Sequence, residues 1–167
     1  MRRRSRNGSV AVEVAMWMPI FFLLITGIIQ FGKITYVYYT IKKTVNTVAS
    51  YLATQNGVNY CDLAGDATIT NAINFALTGA TDGSGTAAIP DLTPDMIAVT
   101  IQCIDPTTGL PGDCNTSGCG GPAGAQRPDL ITVSIPNGYM VQPRIPYILL
   151  DPIPLKPQAV MPNGGGS

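Results

Sequence analysis

The sequence predicts an α+β protein, in which a long N-terminal helix crosses a membrane and leads into a small outer domain with one short helix and an antiparallel sheet. Two observations support this prediction. One is an unbroken apolar run near the N-terminus, and the other is a change from helical to alternating apolar spacing further along the 167-residue chain. A chain of this length has room for a membrane segment and one domain of about a hundred residues.

The apolar run covers Val10–Ile29, twenty residues in which Glu13 is the only ionisable side chain. At about 1.5 Å of helical rise per residue this run spans roughly 30 Å, the thickness of the apolar core of a bilayer. Pro19 removes one backbone hydrogen bond within it, which membrane helices tolerate when neighbouring groups satisfy the freed carbonyl. A charge at this depth costs about 2–3 kcal/mol. We therefore expect Glu13 to have a functional partner, the alternative being that it snorkels toward the headgroups.

Charge is distributed unevenly, although the formal net charge is zero. Residues 1–43 carry seven Lys/Arg and one Glu, whereas residues 44–167 carry three Lys/Arg and nine Asp. Residues 1–8 form a basic leader with four arginines, and such a cluster keeps its flank in the cytoplasm. The predicted topology is N-terminus inside and C-terminal domain outside, with no nucleic-acid partner. A cleaved secretory signal is the competing interpretation, but its apolar region has only about 7–15 residues.

The helix is predicted to continue beyond the membrane and to occupy residues 9–56. Apolar residues recur at intervals of three and four, which is the spacing of one helical face. The members of this stripe are Ile34, Val37, Ile41, Val45, Val48 and Leu52. Gly57 provides a plausible left-handed stop. A helix with one apolar stripe packs it against its own outer domain, against neighbouring subunits, or against both.

The outer domain begins with a predicted short helix and loop in residues 57–95. Asp66 is the expected N-cap of this helix and Gly79 its stop. Residues 96–162 are predicted to form a small β-rich unit. Its two antiparallel strands are Met96–Ile104 and Asp129–Ile135, which alternate and are rich in β-branched residues.

The remaining segments are less regular. A Gly/Pro/Cys-rich excursion separates the two predicted strands and is too long for a tight hairpin. The tail from Pro136 to Pro162 has seven prolines, which restrict it to extended, edge or loop geometry. Brief strands are possible at "YILL" and "QAVM", and residues 163–167 form a flexible end.

Four cysteines lie on the predicted outer side of the membrane: Cys61, Cys103, Cys114 and Cys119. An even number in an exported domain favours two disulfides, for which three connectivities exist. The spacing favours Cys61 with Cys103 and Cys114 with Cys119, and leaves the other two connectivities open. A zinc site is the less favoured alternative, because structural zinc sites use short paired spacings that are missing here.

Catalytic residues are not apparent in the sequence. It contains no histidine, which removes the usual general base, the usual zinc ligand and the Ser-His-Asp triad. No glycine-rich phosphate loop follows a strand, and the outer aspartates lie mostly beside Gly, Pro or Thr, where turn-forming roles explain them. We expect no enzyme activity, no catalytic residues, no cofactor and no metal. One helix with one carboxylate also cannot line a pore by itself, which leaves an assembly role.

The stretch "GSVAVEVAMWMPIFFLLITGIIQFGKITYVYYTIKKTVNTVASYLA" resembles the N-terminus of TadE-like pseudopilins of the tight-adherence (Flp, type IVb-like) pilus systems. The shared elements are a glycine, a glutamate, a proline-broken apolar run and a Gly-Ile-Ile-x-Phe-Gly stretch, here Gly8, Glu13, Pro19 and residues 27–32. Residues 76–101 are similar to the helix, glycine-rich loop and strand of that family. The cysteine-bearing loop departs from its pattern.

The resemblance implies cleavage by a prepilin peptidase between Gly8 and Ser9, which makes Glu13 the fifth residue of the mature chain. One departure is Val14, where the major pilins of this system usually carry an aromatic residue. Cleavage would create an α-amino group on Ser9, positive at neutral pH, that could pair with Glu13 of an adjacent subunit.

The function implied by the resemblance is that of a minor pseudopilin, a single-pass inner-membrane protein with its C-terminal domain in the periplasm. Its expected partners are the membrane, other pilin or pseudopilin subunits, the prepilin peptidase and the pilus assembly platform. The alternative is a membrane-anchored binding or adhesin domain whose anchor is not cleaved.

Overall fold

The computed structural model describes residues 7–55, 57–114, 127–146 and 148–164. Two α-helices, α1 (Asn7–Thr54) and α2 (Ala67–Thr78), are followed by a 3-10 turn at Pro94–Met96. The strands within these ranges are β1 (Ala98–Ile104), β2 (Pro111–Gly112), β3 (Leu130–Ser134), β4 (Tyr139–Val141), β5 (Arg144–Ile145), β6 (Ile148–Leu149), β7 (Ile153–Leu155) and β8 (Gln158–Pro162). The predicted α+β class is confirmed.

Helix α1 is continuous for 48 residues, and Pro19 lies inside it. At about 1.5 Å per residue its length is roughly 70 Å, more than twice the apolar thickness of a bilayer. The helix ends at Thr54, two residues before the predicted end. Gly57 adopts a left-handed backbone with φ +83°, the conformation predicted for the glycine that follows the helix.

Helix α2 has the predicted boundaries and caps. The Asp66 carboxylate accepts hydrogen bonds from the backbone N–H groups of Thr68 and Ile69, at 2.6 and 3.2 Å. Gly79 ends the helix in a left-handed conformation with φ +79°. Since its buried residues all lie on one face, α2 packs that face against α1.

The main sheet has four strands in the order β2-β1-β3-β8, all antiparallel to their neighbours. The predicted pairing of the two long strands is confirmed, with Thr100 opposite Thr132. Strands β4 and β7 form a small two-stranded sheet, and β5 and β6 form a hairpin. The strands expected at "YILL" and "QAVM" are confirmed as β6 and β8, and β4, β5 and β7 add strand pairing that was not predicted.

The core lies between the outer half of α1 (residues 31–54), helix α2 and one face of the main sheet. Four members of the predicted stripe on α1 are fully buried there: Ile41, Val45, Val48 and Leu52. Ile34 and Val37 pack against the same core and are half-buried. The stripe on α1 thus serves the protein's own outer domain.

The favoured cysteine pairing is wrong, because Cys103 is bonded to Cys114. The turn after β1 explains the difference. The Asp105 carboxylate accepts hydrogen bonds from the backbone N–H of Thr107 and from the Thr107 hydroxyl, and Gly109 turns with φ +69°. The chain thereby doubles back, β2 pairs with the end of β1, and Cys114 reaches Cys103. Cys61 is also disulfide-bonded, and Cys119 lies outside the described residues.

Candidate functional site on the N-terminal helix

Most of the exposed large apolar side chains of the described structure lie on the inner half of α1, residues 7–30. This helix contains the one candidate membrane span found in the described residues. The most apolar 18-residue stretch of this span has a mean hydropathy of 2.1, and none of its residues is buried in the protein itself. Large side chains all round the helix are exposed, among them Val12, Met16, Phe21, Leu24 and Ile28. A helix that is apolar on every side is suited to lipid or to the helices of other subunits.

Glu13 lies on this surface, in the second turn of the described helix. It borders a shallow apolar groove together with Val10, Trp17 and Phe21. Its side chain is exposed, and none of the described residues forms an ion pair with it. The described part of a single chain therefore supplies no counter-charge for this carboxylate.

A second groove follows an adjacent face of the same helix. It is lined by Ala11, Val14, Ala15, Met18, Pro19, Phe22, Leu23, Thr26 and Pro146. Ala11 and Ala15 are four residues apart, and small residues at this spacing let two membrane helices approach closely. The Thr26 hydroxyl donates to the Phe22 carbonyl at 2.8 Å, which satisfies it within the helix. This face is apolar, and its part within residues 10–25, where every side chain is exposed, is open to a second helix.

The two predicted assembly residues lie close together in the sequence but border different grooves. Glu13 borders the first groove and Pro19 the second, while Val14 and Met18 border both. The alanine pair was missed in the sequence interpretation, although its spacing alone could have revealed it.

The predicted cleavage residues Gly8 and Ser9 lie in the first turn of α1, which begins at Asn7. Positions 9 and 13 are one helical turn apart, so they share a face. Any positive group created at Ser9 would therefore lie on the side of the helix that carries Glu13.

The outer half of α1 also has a face that the core does not cover. A wide, open depression there has a mixed lining, with Lys42, Lys43 and Asn46 beside Tyr39 and with Met161 of β8 at its border. This surface contains hydrogen-bonding groups and two cations. Within the described ranges, no group of His, Cys, Asp and Glu side chains is arranged to hold a metal ion. The described cysteines, Cys61, Cys103 and Cys114, are all disulfide-bonded, so none of them is a thiolate ligand.

Comparisons with known proteins bear on this same helix. No curated protein and no solved structure matches the chain. One family model, described as TadE-like protein, matches residues 8–50, which include Glu13, Pro19 and most of α1. The match and the candidate span fit a protein that is associated with the tight-adherence pilus and support its anchoring in a membrane. The predicted resemblance is confirmed over residues 8–50, where the chain is similar to TadE-like proteins, and this similarity is consistent with a TadE-like protein of the tight-adherence pilus system.

Proposed function

We propose that the protein is a minor pseudopilin of the tight-adherence pilus, a non-enzymatic subunit that assembles through α1. It sits in the inner membrane with its N-terminus in the cytoplasm and its outer domain in the periplasm. One observation supports this proposal most directly. Glu13 is a carboxylate on an exposed apolar helix surface, and none of the described residues forms an ion pair with it.

Processing would provide the missing partner. Cleavage after Gly8 removes four arginines and creates a positive α-amino group on Ser9. When two such helices pack side by side in lipid, this amine of one subunit can pair with Glu13 of the next. Removing one member of a buried pair typically costs about 3–5 kcal/mol, so the pair fixes the axial register of the two helices.

The apolar grooves provide the contact area that the ion pair alone lacks. Ala11 and Ala15 allow a neighbouring helix to approach, and the grooves on either side of Met18 accept its larger side chains. Packing therefore supplies most of the affinity, and the charge pair selects one register among the many that a uniformly apolar surface would permit.

The test uses Glu13→Gln, which keeps the size of the side chain and removes its charge. Val12→Gln is the matched control, because 63% of Val12 is exposed and it borders neither groove. The mature N-terminus is determined by mass spectrometry, and association with other pilin subunits by cross-linking in membranes. We expect Ser9 as the first residue in the wild type and a loss of cross-linking in Glu13→Gln that exceeds the loss in Val12→Gln.

Two outcomes contradict the proposal. An intact Met1 in the wild type, in cells that contain the peptidase, would favour an uncleaved anchor for a binding or adhesin domain. Equal cross-linking by the wild type and Glu13→Gln would show that the carboxylate does not set the contact.

A further inference from the structure

The β5–β6 hairpin lies against α1 at the outer end of the apolar run. The side-chain amide of Gln30 donates a hydrogen bond of 2.7 Å to the backbone carbonyl of Arg144, the first residue of β5. Gln30 is the first polar residue after Val10–Ile29. The base of the hairpin is therefore level with the outer boundary of the predicted membrane span.

The hairpin continues from this point toward the membrane. Pro146 lines the groove whose other residues all belong to the span, between Ala11 and Thr26. Thr26 is one turn, or about 6 Å, deeper than Gln30 along the helix. Among the described side chains between positions 10 and 30, only Thr26, Gly27 and Gln30 are half-buried, as expected if the hairpin covers this side of the helix.

The far strand of the hairpin exposes apolar side chains that the protein does not cover. Leu149 is 100% exposed and Leu150 is 42% exposed. Leu149 pairs with Arg144 across the hairpin and so lies level with Gln30, at the edge of the apolar span. Full exposure of a leucine there is unfavourable in water but not in lipid. Arg144 has a long stem and a charged end, which can reach the headgroups while Pro146 lies deeper beside the span.

We propose that the β5–β6 hairpin is a second membrane contact, which inserts Pro146 and Leu149 into the outer leaflet beside α1. The occupant of this surface is lipid rather than protein. The hairpin then fixes the tilt and rotation of the outer domain relative to the bilayer, which a single helix cannot do alone. This inference needs only the membrane placement of α1, and it goes beyond the proposed role in the pilus.

The test places a fluorescent probe at Leu149 in the full chain. Trp17, the only tryptophan, is changed to phenylalanine, and Leu149→Trp is introduced in that background. The protein is reconstituted at one copy per lipid nanodisc, with lipids brominated near the headgroup end of the acyl chains. We expect a blue-shifted emission that loses most of its intensity in the brominated lipid.

Leu110→Trp in the same background is the matched control. Leu110 is 65% exposed, and its carbonyl accepts a hydrogen bond from the N–H of Asp105, next to Ile104. Ile104 is hydrogen-bonded to Asp129, whose carbonyl bonds to Asn163. The next residue, Gly164, lies beside Ala53 near the outer end of α1, so Leu110 is at that end of the protein. Ala53 is 23 residues beyond Gln30, roughly 35 Å along the helix. We expect a red-shifted emission from Leu110→Trp that the brominated lipid does not quench.

The unmodified protein separates this inference from the membrane placement of α1. Quenching of Trp17 together with an unquenched Leu149→Trp would overturn the hairpin contact and leave the anchoring intact. An unquenched Trp17 would overturn both. A blue-shifted Leu149→Trp that bromine does not quench would show burial against protein, and would also overturn the inference.

Discussion

Both halves of α1 carry apolar side chains, but the inner half carries them on every side and the outer half mainly along one stripe. In the outer half, Ile41, Val45, Val48 and Leu52 are completely buried in the protein's own core. In the inner half, the most apolar window has no buried residue at all. The outer domain therefore folds by internal packing, whereas the described protein leaves the most apolar stretch of the inner half uncovered. This contrast predicts that substitutions in one half leave the behaviour of the other half unchanged.

The largest expected effect comes from Leu52→Ala, because Leu52 is fully buried. We expect the outer domain to lose about 2–5 kcal/mol of stability, from lost burial and the cavity left behind. Leu24→Ala is the matched control, since 58% of Leu24 is exposed on the inner half. Amide hydrogen exchange in β1 and β3, measured on the full chain in detergent, reports the change. Equal effects of the two substitutions on exchange in β1 and β3 would show that the two halves of α1 do not behave independently.

The second largest effect is expected from removal of the Cys103–Cys114 disulfide. Replacing both Cys103 and Cys114 by alanine opens a loop with a sequence separation of 11 residues. We expect a loss of about 3 kcal/mol in the outer domain, because the unfolded chain regains freedom. The unfolding midpoint in denaturant measures this loss, and insertion of α1 into membranes should not change. Non-reducing peptide mapping that joined Cys103 to Cys61 would contradict the pairing.

A smaller effect is expected at the N-cap of α2. Asp66→Ala should cost about 1 kcal/mol, because two N–H groups of the first turn lose their acceptor. Burial raises the pKa of Asp66, but hydrogen bonds from Asn59, Ile69 and Thr68 outweigh burial and lower it overall. The carboxylate therefore stabilises the fold above its ordinary pKa, and this stabilisation is lost as the pH falls through the lowered value.

Asp66→Asn distinguishes the hydrogen bonding of the N-cap from the contribution of its negative charge. Asparagine is also a good N-cap, so most of the stability at neutral pH should remain. The part of the acid-induced loss that comes from this carboxylate should disappear, which unfolding experiments between neutral and acidic pH measure. An unchanged acid profile in Asp66→Asn would contradict the assignment.

The smallest effect on the outer domain is expected from Ala15→Leu. Ala15 is an exposed residue of the second groove, so the stability of the outer domain should change by less than about 0.5 kcal/mol. Cross-linking between subunits should nevertheless decrease, since the added side chain blocks close helix contact. Val12→Leu, outside both grooves, should leave cross-linking unchanged. A loss of outer-domain stability in Ala15→Leu would show that the two halves are coupled.

Local periodicity and caps made part of the fold predictable. The stripe on α1, the caps Asp66 and Gly79, and the pairing of β1 with β3 all depend on residues a few positions apart or on alternation within one strand. Glu13 and Pro19 were also identified locally, because each interrupts an apolar run.

Contacts between distant segments were not predictable in the same way. The Cys103–Cys114 bond depends on the turn that Asp105 and Gly109 build, and a count of spacings ignores such a turn. The hairpin at Arg144 meets Gln30 across 114 residues of sequence, and nothing in either segment alone indicates the other. In the tail, the strands expected at "YILL" and "QAVM" are present as β6 and β8, whereas β4, β5 and β7 were not predicted, because each has only two or three residues and the many prolines favour loop geometry.

Proline has a further consequence at the two borders of the main sheet. The two edge strands are β2 and β8. Strand β2 is only two residues long and begins with Pro111, and β8 ends in Pro162. Prolines and short border strands hinder the addition of a foreign strand. Outer domains crowded side by side would therefore remain separate folded units, and accidental β-aggregation between them would be suppressed.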